Sequence, residues 1–176
     1  MKGIMFNNSF GLEYAVINGH KTRTWRIGEI PRYKVGEVVA IKQSYRTLLY
    51  DENFEYQDKK GKIKPLKEHA GWNNKMFVDL GLMRHGVRIK QVKQARLQDI
   101  TEDECLQEGI WCTLHGLTLQ YHVSGIYLAG HPGVTASFKT ARDAYFMLVN
   151  KINGWGLWPK NPIGYVYEFE YIELDH

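Results

Sequence analysis

Polar and apolar residues alternate most strictly near the end of the chain. In residues 163–172 (IGYVYEFEYI), Tyr165, Tyr167, Phe169 and Tyr171 share one face, and Glu168 and Glu170 lie on the other. A period of two over that length predicts a strand. The same reasoning predicts a long strand over 86–97, with Val87 and Ile89 on one face, and a short first strand over 2–7 carrying Ile4 and Phe6. Residues 21–27 read as strand, and so do residues 37–45 (EVVAIKQSY), where Val39 and Ile41 alternate with Val38 and Ala40. Helical spacing appears in three places. Ser9 can cap a helix in which Leu12, Ala15 and Val16 recur, and Gly19 ends it. Thr101 and Glu104 form a capping box for a helix ending at Gly109. Thr140 and Asp143 cap a helix marked by Ala141, Tyr145, Leu148 and Ile152. Residues 51–70 are polar and carry DKKGKIK, which predicts a mobile loop. Residues 113–138 hold no Asp, Glu, Lys or Arg, which predicts a hairpin or lid packed on the body. Strands dominate, helices are short and no βαβ rhythm appears. An α+β fold built on a small barrel or strongly bent sheet is expected.

Length and composition narrow the class. A chain of 176 residues, 44% hydrophobic and 24% charged, fits one domain spanning 1–176, with a core that needs no disulfide staples. No apolar run is long enough for a membrane span, and residues 1–10 lack the apolar core of a signal peptide. With only two cysteines, Cys105 and Cys112, a reducing cytoplasm is the expected location. Gly-rich phosphate loops and the dinucleotide fingerprint are absent. The seven histidines form no metal-ligand motif, so neither metal nor cofactor is expected. No nucleophile elbow is visible.

The segment 18–27 (NGHKTRTWRI) concentrates the candidate chemistry. Just past a helix-ending glycine come Lys21, Thr22, Thr24 and Arg26, an amine, two hydroxyls and a guanidinium at a chain reversal. Such a set can hold a phosphate or carbonyl oxygen, and its Lys/Thr pair could supply a base and a nucleophile. The plainer alternative is a helix end followed by a half-exposed strand. In a regular strand Lys21 and Thr24 would face opposite ways, so a shared site requires the chain to be still turning from Gly19 to Thr22. A second feature is basic: between Asp79 and Asp99 lie Arg84, Arg88, Lys90, Lys93 and Arg96 with no acid among them. That stretch suits a phosphate backbone, or a solvated strand edge that discourages pairing.

The order of segments carries a resemblance. An opening strand, a helix ending in Gly-x-Lys-Thr, a Thr and an Arg two and four residues on, and then Tyr-Lys-Val-Gly-Glu resemble the start of an ASCH domain. The stretch Arg96-Leu97-Gln98-Asp99-Ile100-Thr101-Glu102 and the helix ending Glu108-Gly109-Ile110 resemble its middle. Trp158-Pro159, Asn161-Pro162 and the closing aromatic strand resemble its end. The resemblance implies a PUA-like small β-barrel with short flanking helices, and a cleft suited to RNA or modified nucleosides. The segments at about 46–85 and 113–139 stand outside it as insertions. One branch of that family, bacterial amidohydrolases acting on N4-acetylcytidine, implies a catalytic set of Lys21, Thr24 and Glu108. Many relatives carry an Arg-Glu pair where this chain reads Lys42-Gln43.

Two classes of function follow. One is an RNA- or nucleotide-binding module using Thr22, Arg26, Lys42 and Tyr45 in the cleft, Arg88, Lys90 and Arg96 along the basic strand, and Tyr45 or Trp72 for stacking. The other is a hydrolase, either an amidohydrolase acting on an acylated nucleoside or a ribonuclease. Either would have RNA or a modified nucleoside as partner, and the enzyme would place Lys21 at the rim of the cleft.

Overall fold

Where alternation is strongest, strands form. In the computed structural model, which describes residues 1–58 and 60–174, the elements are β1 (Lys2–Ile4), α1 (Leu12–Ile17), β2 (Arg23–Ile27), β3 (Val38–Ile41), β4 (Glu55–Gln57), β5 (Ile63–Pro65), β6 (His85–Arg96), α2 (Glu102–Gln107), β7 (Trp111–His115), β8 (Thr118–Tyr127), β9 (Thr135–Phe138), α3 (Ala141–Asn153), α4 (Leu157–Lys160) and β10 (Ile163–Glu173). They fall into two compact units: residues 1–6, 38–87 and 172–174 make the first, and Asn7–Glu37 with Arg88–Tyr171 the second. The α+β class expected from the sequence is present, with mixed parallel and antiparallel pairing and few helices. Among the described residues no sheet closes into a barrel.

In the first unit, β1 pairs parallel with β3 in the register Ile4↔Ile41. Its core gathers Ala40, Tyr45, Leu48, Leu66, Val78 and Met83, with Trp72, Tyr50 and Tyr56 packed against them. The polar segment expected to be a mobile loop is instead partly regular. β4 and β5 form an antiparallel hairpin, with Tyr56 opposite Lys64. Sparse apolar anchors hold it: Tyr56 meets the His69 ring edge-on and Leu66 is 1% exposed.

The second unit contains the elements around segment 18–27. β10 runs antiparallel to β2, pairing Thr24 with Tyr167 and Arg26 with Tyr165. It also neighbours β6. The uncharged segment forms a three-stranded antiparallel sheet in the order β7-β8-β9, one strand more than a hairpin. Its cross-strand pair Trp111 and His122 stacks with ring centroids 4.4 Å apart. α2 starts on the Thr101/Glu104 capping box read from the sequence.

Candidate functional site

The chain leaves α1 through Gly19, whose φ of 73° lies in the left-handed region that glycine adopts without strain. The amides of His20 and Lys21 then both donate to the Ala15 carbonyl, closing the helix end. The Thr22 amide donates to the Gln107 carbonyl. Regular strand begins only at Arg23, so Lys21 is freed from strand alternation and can turn toward α2. This removes the parity conflict between Lys21 and Thr24.

The Lys21 ammonium meets the C-terminal end of α2. Its Nζ donates to the Glu108 carboxylate Oε2 at 2.6 Å and to the Glu108 carbonyl at 2.7 Å. A helix C-terminus carries partial negative charge, so both contacts favour a cation there. Glu108 is also fixed from its other oxygen, since the Trp25 amide donates to Oε1 at 2.6 Å. That amide belongs to the peptide bond joining Trp25 to Thr24, so the carboxylate bridges both ends of the Lys21–Trp25 segment beside Thr24. Thr24 is buried, 4% exposed.

Lys21 was expected at a cleft rim; it is instead sequestered, with its side chain only 1% exposed. Its stem lies against the end of α2, where Gly109, with a φ of 100°, turns the chain out of the helix; a Cβ there would meet Lys21 Cδ at 3.6 Å, an ordinary contact, and crowd Leu12 Cδ2 at 3.1 Å.

Burial holds the Lys21 ammonium below the usual lysine range; Glu108 pulls it back up, and the Arg26 and Arg23 guanidiniums push it further down. The same physics raises the Tyr145 phenol, which is buried on α3 and feels Glu108. Burial also lowers the Arg26 guanidinium, a group whose field is shaped by Tyr33 and Glu108. Thr24 and Arg26 share a face of β2, opposite Tyr167 and Tyr165. The Tyr167 hydroxyl accepts the Arg32 amide at 2.8 Å, and its ring meets Tyr33 edge-on at 5.1 Å.

A second ionic layer was not read from the sequence. Arg23 is 3% exposed, donates through Nη1 to Glu104 Oε1, and places its Nε 4.0 Å from Glu108 Oε1. Lys93 donates to the same Glu104 oxygen at 3.1 Å and lies 3.8 Å from Glu168. Burial alone would raise the Glu104 carboxyl; the Thr101 amide, Lys93 and Arg23 outweigh it and hold it at about 2. Its capping-box spacing was legible in the sequence, but its ionic role depends on β2 and β6, which lie far away along the chain.

The remaining sequence candidates are distributed differently. Thr22 is half-buried in the turn, its backbone tied to α2 and, through its carbonyl, to the Phe169 amide. Lys42 and Tyr45 lie in the first unit, where Lys42 donates to the Met76 carbonyl. Tyr45 is 1% exposed and its hydroxyl accepts the Asp79 amide, so its ring is packed in the core. The basic strand is not an edge, because β10 neighbours it. Arg88 and Lys90 both pair with Glu170, at 3.4 and 3.2 Å, and Arg96 donates to the Asn161 carbonyl. Glu168 and Glu170, read earlier as the polar face of the last strand, compensate the basic run across the sheet. Among the described residues no group of His, Cys, Asp and Glu could hold a metal ion, and no helix is long and apolar enough to cross a membrane.

No family model, curated protein or solved structure matches this chain.

Proposed function

We propose that this chain is an amidohydrolase acting on an acylated nucleoside of the N4-acetylcytidine type, on a divergent ASCH-like, PUA-related fold, with Lys21, Thr24 and Glu108 as its working set. The supporting observation is the sequestered Lys21–Glu108 pair, fastened at 2.6 Å, with the buried Thr24 next in the chain to Trp25, whose amide holds the same carboxylate. Burial lowers the proton affinity of the amine, and a lysine that can lose its proton is the base a threonine needs.

The chemistry balances with these groups alone. Neutral Lys21 takes the Thr24 hydroxyl proton as Oγ1 attacks the amide carbonyl. The C–N bond breaks and Lys21 gives that proton to the departing amine, leaving the acyl group on Oγ1. Water then attacks the ester, giving one proton to Lys21, which passes it to Oγ1 as the C–O bond breaks; Thr24 is restored and the carboxylic acid leaves, releasing its remaining proton to solvent. Glu108 keeps the amine oriented throughout, and Arg26 adds positive charge where the carbonyl oxygen becomes anionic.

The test is a panel of acylated and unmodified nucleosides assayed for turnover and binding with the wild type, Thr24→Val and Lys21→Met. Turnover of the acylated members that both variants lose supports the reading. Tight binding without turnover would replace it with a nucleotide-binding module.

A further inference from the structure

Arg23 stands out in the second unit. Its side chain is as deeply buried as Lys21, and its Nε is buried with no hydrogen-bond partner. A buried guanidinium with an idle donor costs free energy unless its position serves something else. Two contacts describe that position. Nη1 is anchored on Glu104, itself held by Lys93 and by the Thr101 amide. Nε looks toward Glu108 Oε1 from 4.0 Å, while Lys21 holds Oε2. The Glu108 carboxylate therefore has an ammonium at Oε2, and at Oε1 the Trp25 amide with the guanidinium beyond hydrogen-bond reach.

We infer that Arg23 is a positioning residue for the Lys21–Glu108 pair: anchored by Glu104, it holds the Glu108 carboxylate from the side opposite Lys21 and keeps the amine aligned for proton transfer. This rests on the hydrolase reading above. The distance suits the role. At 4.0 Å the guanidinium attracts the carboxylate without taking the hydrogen bond that Lys21 needs, so Glu108 stays shared rather than captured. The anchor explains why Arg23 does not close the gap, because Glu104 draws the guanidinium away from Glu108. The charged groups that act on Lys21 are Glu108 at the end of α2 and Arg23 and Arg26 from β2; Glu104 from α2 and Lys93 from β6 stand behind Arg23, Glu168 from β10 beside Lys93, and Tyr145 from α3 feels Glu108. Of these, Arg23 and Arg26 disfavour the ammonium, so removing Arg23 raises the pH at which Lys21 loses its proton.

The experiment uses the full chain with isotope-labelled lysine. The Lys21 side-chain resonance is titrated by NMR in wild type, Arg23→Met and Arg23→Lys, alongside kcat and KM on the best acylated nucleoside. Arg23→Met keeps the bulk and removes the charge. It should move the Lys21 midpoint up, shift the acid limb of the kcat profile with it, and lower kcat at least tenfold with KM within twofold. Arg23→Lys should return the midpoint most of the way. An unchanged midpoint and pH profile in Arg23→Met, whatever its stability, would overturn the proposal. If Arg23→Met does not fold, Glu104→Gln decides, because glutamine keeps the capping box while releasing the anchor. A fivefold or larger loss of kcat with KM unchanged supports the role, and kcat within twofold of wild type overturns it. Should the hydrolase reading itself fail, no acylated nucleoside is turned over by the wild type, and the Lys21 midpoint alone still decides whether Arg23 acts on the pair.

Discussion

Replacing Glu108 with Gln perturbs the pair with almost no change in volume, and its cost can be worked from the contacts. Two donors converge on the carboxylate, Lys21 Nζ on Oε2 and the Trp25 amide on Oε1. A glutamine offers one oxygen and one NH2, so one of those donors must face another donor. An unsatisfied buried donor costs about 1–3 kcal/mol. The ammonium, 1% exposed, also loses its counter-ion. Breaking a buried ion pair from one side costs about 3–5 kcal/mol in all. Lys21 can limit the loss by giving up its proton, at about 1.4 kcal/mol for each pH unit below its unfolded pKa. The sign follows. Because the folded lysine is already depressed, the native state binds fewer protons than the unfolded chain, and stability rises with pH up to the unfolded lysine range near ~10.4. Without Glu108 the depression deepens and that window extends to lower pH. Urea denaturation at pH 7 should therefore show Glu108→Gln about 3 kcal/mol less stable than wild type. That corresponds to a fall in Tm of about 6–12 °C for a chain of this size. At pH 10 the deficit should shrink to about 1 kcal/mol, as only the mismatched donor remains. A deficit under about 1 kcal/mol that does not vary with pH would refute the buried, charged pair.

Other consequences are as direct. Thr24→Ser keeps the hydroxyl and should retain measurable turnover of the acylated nucleoside, while Thr24→Val should lose it, with both variants folded by circular dichroism. Gly109→Ala should destabilise the protein by about 1–3 kcal/mol in urea unfolding, because an alanine is strained at a φ of 100° and its Cβ would crowd Leu12. Burial pushes the Cys105 thiol up to about 12 while Cys112 is exposed, so a thiol reagent at pH 8 should label Cys112 in the native protein and both cysteines only in denaturant. Arg88→Ala with Lys90→Ala breaks exposed pairs to Glu170 and should cost under about 1 kcal/mol in stability.

What the sequence revealed was mostly local. The Gly19 turn, the Thr101/Glu104 box and the alternation of 163–172 follow from neighbouring residues, and each has its element in the structure. The pairing of Lys21 with Glu108 was implied only by the family resemblance, and the turn after α1 supplies the geometry. Features made by distant partners were hidden. Arg23 looked like one more surface cation because Glu104 reaches it from α2, and the run Arg88–Lys90–Arg96 looked uncompensated because Glu170 arrives from β10. Lys21 looked exposed because the Glu108 carboxylate and carbonyl that bury it arrive from the distant end of α2. The hairpin of β4 and β5 was masked by polar composition, since two or three apolar anchors suffice to order it.

The most direct measurement is rapid-quench peptide mass spectrometry of the wild type mixed with N4-acetylcytidine. If Thr24 is the nucleophile served by Lys21, an acetyl group appears on the Thr24 peptide within the first turnover. It should be absent in Thr24→Val and should fail to form in Lys21→Met. Cytidine released at the wild-type rate by Thr24→Val, with no acetyl mark on Thr24 at any time, would contradict it.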